Sequence, residues 1–299
     1  MKSISVKIPF IAVTVLALSG LCSAGVLLYD TFADGSRAET NLPNESAVWV
    51  GTPASVTMNP GSLAYAQGSS SQKLWTYFAP NGSPVELSVG HQLIATITFT
   101  PRVKLYDSSS KNFRFGLFYD PTNDQIAADI NSDSGGTGDP WKDSTGYAVH
   151  FPLSSGPTSI SNSSVGKRIP DLHTSLLGSG SAYPGITSGG AKITATLDTL
   201  YTLTFKLDYQ AANAMVVTFT LSDASGVLST NSITDDGTFG GYNMGIYTKF
   251  DQLFFRFSSA TATADVIDFH SIKVEHVVPE PATLALLGLG GLVSLRKSR

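Results

Sequence analysis

The stretch Asp129-Ile130-Asn131-Ser132-Asp133 places three oxygen-bearing side chains at alternate positions, a spacing that suits one hard cation. Calcium gathers six to eight oxygens at about 2.4 Å, and alternate residues of a tight loop can converge on it. The spacing predicts a calcium ligand set of Asp129, Asn131 and Asp133, with Asp139 or Asp143 completing the shell. It is not an EF-hand, because Ser134 stands where that loop requires glycine and no glutamate occupies the twelfth position. The competing reading is a solvated turn in which the Asx side chains bond their own backbone. A second arrangement would combine Asp30 with Asp265 or Asp268.

Sugar recognition needs exposed aromatic faces on which the C–H-rich side of a pyranose can pack. Trp49 lies in the apolar run Ala47-Val48-Trp49-Val50 and reads as core. Trp75 with Tyr77, and Trp141 between Pro140 and Lys142, read as nearer the surface and are the carbohydrate-binding candidates. Aromatic residues of a β-protein more often fill its core. No nucleophile elbow, P-loop, dinucleotide fingerprint or His-x-x-x-His pair is present. Gly135-Gly136-Thr137-Gly138 and Gly189-Gly190 read as flexible turns without a following helix.

These residues need a scaffold, and the scaffold reads as all-β. Leu93, Ala95, Ile97 and Phe99 alternate with Ile94, Thr96, Thr98 and Thr100, and Phe113, Phe115, Leu117 and Tyr119 form another period-two face. Leu203, Phe205 and Leu207, then Met215, Val217, Phe219 and Leu221, predict two strands of a hairpin joined through Gln210–Asn213. Leu253–Phe257 and Val266–Val274 supply later strands. Threonine on the alternate positions suits a half-solvated antiparallel sheet. Many short strands with polar turns and no long amphipathic helix predict an antiparallel β-sandwich, most simply a jelly roll. Asp129–Thr145 and Leu153–Gly190 read as long loop excursions, which in a compact fold are functional or mobile.

The two ends of the 299-residue chain read as addresses. Residues 1–24 have the form of a secretory signal peptide: Lys2 and Lys7, an apolar core from Phe10 to Leu18, and Cys22-Ser23-Ala24 before a cut between Ala24 and Gly25. A lipoprotein signal is disfavoured by Leu21 ahead of Cys22. Cleavage there removes the chain's single cysteine, so the mature protein has no thiol ligand or nucleophile. Residues 277–299 join Pro279-Glu280-Pro281 to an apolar run, Leu284–Leu295, and a basic end, Arg296, Lys297 and Arg299. Residues 282–295 offer about 14 apolar or small positions where a bilayer-spanning helix wants roughly 20. They can hold the chain in a membrane briefly, with the cations on the cytoplasmic side. The three parts predicted are thus 1–24, a β-sandwich body over 25–276 and a sorting tail over 277–299. Loss of both ends leaves the body a net charge of about −8, which repels nucleic-acid phosphates.

The tail resembles the PEP-CTERM sorting signal of exported bacterial proteins, on Pro279, Glu280, Pro281, the glycine-containing apolar run and the basic end. That resemblance implies signal peptidase and a membrane exosortase as processing partners, transient anchoring by a short hydrophobic helix, and delivery to the envelope or the extracellular polysaccharide of a biofilm. The body resembles the concanavalin A-like jelly rolls through strand rhythm and length. In the glucanases of that architecture the acids come from a Glu-x-Asp-x-x-Glu strand, and the body's four glutamates, Glu39, Glu45, Glu86 and Glu275, do not reproduce it. Asp208, Asp251, Asp265 and Asp268 could still pair in space. Lyases of similar fold use Tyr, His, Arg and Gln or Asn, and His91-Gln92, His150, Arg102 and Arg114 supply the residue types without the strand motifs. The expectation is a carbohydrate-binding or structural matrix protein that is not an enzyme, with polysaccharide lyase or glycoside hydrolase as the alternative.

Overall fold

The computed structural model describes residues 22–37, 48–52, 55–66, 71–102, 113–122, 125–126, 128–130, 141–151, 163–171, 176–178, 183, 187–191, 193, 195–238, 242–257 and 266–279. One compact unit spans Ala24–Val278, and Met1–Ser23 with Pro279–Arg299 form another, nearly all of it outside the described residues. Glu280, Pro281, Arg296, Lys297, Arg299 and the apolar run therefore lie outside the description. Ala24 and Gly25 are exposed at the start of the first strand. Among the described residues no helix is long and apolar enough to cross a membrane.

The alternation read from the sequence becomes two stacked antiparallel sheets. The first has eight strands: β14 (Gly226–Asp235), β13 (Ala214–Asp223), β12 (Tyr201–Ala211), β7 (Gln92–Pro101), β17 (Val266–Pro279), β4 (Ser62–Ala66) and β3 (Val56–Asn59), with β1 (Cys22–Asp30) also paired to β17. The second has seven: β11 (Thr187–Gly189), β10 (Ser163–Lys167), β9 (Thr145–Phe151), β8 (Phe113–Tyr119), β16 (Gln252–Phe257), β5 (Gln72–Tyr77) and β2 (Val50–Gly51). A short pair, β15 (Lys249–Phe250) with β6 (Val85–Glu86), stands apart. The first and last strands are neighbours, and the fold is the expected jelly-roll sandwich.

In the eight-stranded sheet the expected faces hold. Leu203 pairs with Leu221, Phe205 with Phe219 and Leu207 with Val217. These side chains are buried, whereas the threonines between them are half-exposed. The hairpin is tighter than its apolar pattern implied, with only Ala212 and Asn213 between the strands. Between the sheets the core is aromatic. Tyr65 stacks on Phe257 at 4.7 Å, Phe255 lies 5.2 Å from Phe269, and Phe115 meets Phe205 edge-on at 5.4 Å.

Where β1 ends, Phe32 adopts the left-handed conformation (φ 56°), a conformation that costs a non-glycine residue about 1–2 kcal/mol. The Asp30 carboxylate holds it there by accepting the Phe32 backbone N–H at 2.6 Å, and it accepts the Trp49 indole N–H at the same distance. Asp30 is thus a turn-forming acid buried under Trp49. Of the two acids expected to join it on a cation, Asp268 is committed to Arg102 at 2.6 Å, and Asp265 lies outside the described residues.

One edge of the sandwich is closed by a dry ion pair. Lys167 of β10 and Asp235 of β14 lie 2.7 Å apart, and both side chains are 0 % exposed. Tyr147 donates its hydroxyl to the same carboxylate oxygen at 2.6 Å, and Gly237 N–H donates to the other at 2.9 Å. Lys167 also donates to the Gly245 carbonyl and lies 4.5 Å from the Tyr247 ring centroid. Desolvation of two charges is tolerated only when such partners satisfy both. Burial, then the Asp235 charge, raises the Tyr147 phenol well above its ordinary value, so it stays a donor. Asn231 extends the seam by donating to the Ser163 carbonyl at 2.9 Å.

Removing one member of this pair strands the other. Lys167→Met is expected to lower unfolding free energy by about 3–5 kcal/mol in denaturant titrations, with part of that loss recovered when Asp235→Asn is added. A Lys167→Met midpoint equal to wild type would show that the pair contributes nothing to closure.

Candidate ligand-binding face

The seven-stranded sheet departs from simple alternation. Every residue of β16 is buried, and five of six in β5, so both faces of these strands are covered. Phe113, Phe115, Leu117, Phe255 and Phe257 face the main core. The opposite face belongs to a second cluster of Val50, Trp75, Phe118, Trp141, Ala148, Leu176, Leu177, Tyr183 and Phe254.

Register sorts this outer face into three cross-strand rows. The middle row runs Trp75, Phe254, Gly116, Ala148 and Gly166 across β5, β16, β8, β9 and β10. A second row contains Tyr77, Gln252, Phe118 and Gly146. The glycines make room for large neighbours. A Cβ on Gly116 would meet Tyr147 O at 2.4 Å and the Phe118 ring at 2.7 Å, and one on Gly146 (φ 154°) would meet Leu117 O at 2.3 Å.

The third row is polar: Lys73, Arg256, Arg114, His150 and Ser164 stand opposite one another in consecutive strands. Lys73, Arg256 and His150 are buried and Arg114 is half-buried. Lys73 places its ammonium 4.8 Å from the Trp141 ring centroid. Arg114 donates to the carbonyls of Leu177, at 2.9 Å, and Gly178. Burial, followed by the charge of Arg256, pushes the Arg114 guanidinium down to about 10. His150 packs edge-on against Tyr183 at 5.3 Å. Burial, then the Arg114 charge, pushes its imidazole down to about 3, so it is neutral at ordinary pH. Among the described residues its Nε2 has no hydrogen-bond partner.

The segment covering this face is tied down by another cation. Arg168 donates to the carbonyls of Ser144 at 3.0 Å and Trp141 at 2.8 Å. Trp141 then lies edge-on to Trp75 at 5.2 Å and to Phe254 at 5.1 Å. Neither indole can act as an exposed sugar platform, because Trp75 is 0 % and Trp141 2 % exposed. The polar neighbours of Trp141 in sequence misled on this point; its ring turns inward over the sheet. Tyr77 is half-buried, with its hydroxyl accepting Ile126 N–H at 3.0 Å. The three aromatic candidates do converge on one face, as its packing.

Asp129 is also spoken for. Its carboxylate accepts both Arg37 guanidinium nitrogens, at 3.2 and 2.8 Å, and Gly51 N–H at 2.9 Å. Burial alone would raise this acid, but the bonds from Arg37 and Gly51 outweigh it and hold it below its ordinary value. A calcium ion there would have to displace Arg37. Asn131, Asp133 and Asp139 lie outside the described residues, and among the described ones no group of three or more His, Cys, Asp or Glu could hold a metal.

Of the other residues picked from the sequence, Arg102 bridges Asp198 and Asp268 on the surface, and His91 faces His276 at 3.0 Å. Asp251 does find a second acid. Asp120 N–H donates to its Oδ1 at 3.3 Å, and the two residues are 1 % and 2 % exposed. Burial, then the Asp120 charge, raises the Asp251 carboxyl to about 7. Lys73, Arg256, Gln252 and Asp120 escaped a reading that followed apolar periodicity. A usable signal was present: the triplets Phe113-Arg114-Phe115 and Phe255-Arg256-Phe257 each set one cation inside an apolar strand, and they are cross-strand partners.

Comparison with known proteins adds two findings. Residues 277–299 match the PEP-CTERM protein-sorting motif, and no curated protein matches the chain. Among solved structures, a Lotus tetragonolobus seed lectin aligns at 14% identity and TM-score 0.48, covering 85% of this chain and 99% of its own. An endo-1,3-beta-glucanase from Streptomyces sioyaensis aligns at 10% identity and TM-score 0.48, covering 86% and 97%. The exoplasmic domain of VIP36, in a Ca2+/Man3GlcNAc-bound form, aligns at 12% identity and TM-score 0.44, covering 78% and 84%.

The two shifted groups act oppositely on stability. His150, at about 3 against an ordinary 6.5, gives stability that is complete above 6.5 and drains as pH falls toward 3. Asp251, at about 7 against 3.8, gives stability that is complete below 3.8 and drains as pH rises toward 7. Between these limits they offset each other. Asp251→Asn should therefore lose stability from pH ~6.5 to ~4 and His150→Leu should gain it over the same range. Parallel melting-temperature profiles for the two variants would refute the assignment.

Proposed function

We propose that this is an exported extracellular-matrix protein that is cleaved by an exosortase at its PEP-CTERM tail, and whose sandwich binds polysaccharide without transforming it. The observation that carries the reading is the row Lys73, Arg256, Arg114 and His150. A sheet face closed over by tryptophan and phenylalanine has no packing use for four aligned polar side chains, and each costs free energy to desolvate. Polar groups convergent within an apolar surround are what a small-ligand site requires. The sorting motif supports a destination where polysaccharide is the abundant ligand. Calcium is not needed for this face, since none of its row is a carboxylate.

A hydrolytic reading has one observation in its favour. Asp251, raised to about 7 beside Asp120, has the pairing that a general acid and its partner require. Against it, Asp120 Oδ1 is occupied by the N–H and hydroxyl of Thr122 at 3.1 and 2.9 Å.

Two experiments test the proposal. Deleting Pro279–Pro281 should leave an unprocessed, membrane-retained precursor; normal processing would overturn the sorting route. The exported protein, run against a polysaccharide panel with and without chelator, should be retained saturably on at least one polymer that is recovered intact. Shortened or unsaturated products would replace binding with catalysis, and retention by none would leave a structural role.

A further inference from the structure

We infer that the chain stitches its own two sheets together: after folding, Lys167 Nζ and Asp235 Cγ form an amide bond, and one water is lost. Such a link goes beyond the sugar-binding reading and does not depend on it. The chain has a single cysteine, so no disulfide within it can supply a covalent closure. The enclosed pair brings a nucleophile and an acyl carbon together where solvent does not reach. Nζ stands 2.7 Å from Asp235 Oδ2, and both side chains are 0 % exposed. Reaction between held groups wants the reacting atoms about 3–3.5 Å apart, and the carboxyl carbon lies just one bond beyond the oxygen that Nζ touches. The ion pair is then the state in which the chain first folds.

The neighbouring bonds match the steps of an amide condensation. A proton passes from the ammonium to Oδ2, exchanging two enclosed charges, which are costly to desolvate, for a neutral amine and acid. The amine keeps two N–H bonds, and two acceptors stand ready for them. One is the Gly245 carbonyl, and the other is the face of Tyr247, whose ring centroid is 4.5 Å from Nζ. With its hydrogens held there, the lone pair is left facing the Asp235 carboxyl. Attack on Cγ puts negative charge on Oδ1, where Gly237 N–H donates at 2.9 Å, a backbone donor of the kind that stabilises a tetrahedral oxyanion. Oδ2 is the oxygen that leaves. It already accepts the Tyr147 hydroxyl at 2.6 Å, and that hydroxyl is aimed by accepting Tyr247 N–H at 3.2 Å. Burial, then the Asp235 charge, keeps the Tyr147 phenol protonated. Tyr147 gives its proton to Oδ2 as the Cγ–Oδ2 bond breaks and regains one from Nζ. The oxygen departs as water, and the amide keeps a single N–H. Nothing is oxidised or reduced, no co-reactant is consumed, and the product leaves no charge enclosed in the seam.

The test is mass spectrometry of the full exported chain, denatured and digested with trypsin. A branched peptide is expected that joins the Lys167 and Asp235 segments, is lighter than their sum by one water, and is uncut between Lys167 and Arg168. Recovery of the two segments only as separate peptides overturns the link, whatever polysaccharide the protein binds. This measurement needs no variant, so it does not hang on a substitution that fails to fold. Lys167→Arg keeps a cation but removes the amine, and should yield only the separate peptides. A branched peptide on the Asp235 segment of that variant would overturn the assignment of the nitrogen. In freshly synthesised Tyr147→Phe protein the unlinked fraction should decay more slowly by about tenfold or more. An unchanged rate would overturn the proton relay.

Discussion

Strand β16 is buried at all six positions, and this double burial is the constraint on which the rest of the molecule depends. A strand dry on both sides must find cover on both. On one side that cover is the eight-stranded sheet, which meets it through aromatic contacts such as Phe255 with Phe269. On the other side the described residues supply no further sheet, and the segment around Trp141, with Leu176, Leu177 and Tyr183, covers it as a lid. Arg168 serves that lid by reaching the carbonyls that a loop cannot satisfy for itself. The polar row lies under the same lid, and the shifted behaviour of Arg114 and His150 follows from having lost water there.

Two kinds of charged contact coexist and differ in weight. Arg102 with Asp198 and Asp268 is exposed, and surface pairs of that kind contribute about 0–1 kcal/mol. Lys167 with Asp235 is fully enclosed, where the cost of removing water is large and the compensation must be complete. The enclosed pair sits where β10 of one sheet approaches β14 of the other, with the rings of Tyr147 and Tyr247 beside it. It fixes which ends of the two sheets meet, a role that an apolar contact of the same size would fill with less directional precision.

Much of this architecture was legible in the residues. Strands β7, β12 and β13 could be read from period-two alternation because one of their faces is solvated, so the pattern has contrast. The hairpin at Ala212 and Asn213 followed from the same contrast. Strands β5 and β16 lack it, and runs such as Leu253–Phe257 fix a strand without saying which residue faces which layer. That is why Trp75 looked half-exposed and Trp141, with polar neighbours along the chain, looked like a surface residue. The side-chain environment there is set by cover from residues far along the chain, such as Tyr183 over His150, which local spacing does not encode. Asp30 and Asp129 show a related ambiguity: an acid suited to a cation is equally suited to an indole N–H or a guanidinium, and local spacing does not distinguish them.

The last strand has a mechanical meaning. β17 is an inner strand, paired with β7 from Ile267 to Val277 and flanked on its other side by β4 and β1. Hydrogen bonds of an antiparallel pair run perpendicular to the strands. A pull on the C-terminal end along β17 therefore shears the whole ladder at once instead of peeling it rung by rung. A chain held by that end resists tension with many bonds in parallel, so the body stays folded under a load that would peel an edge strand away.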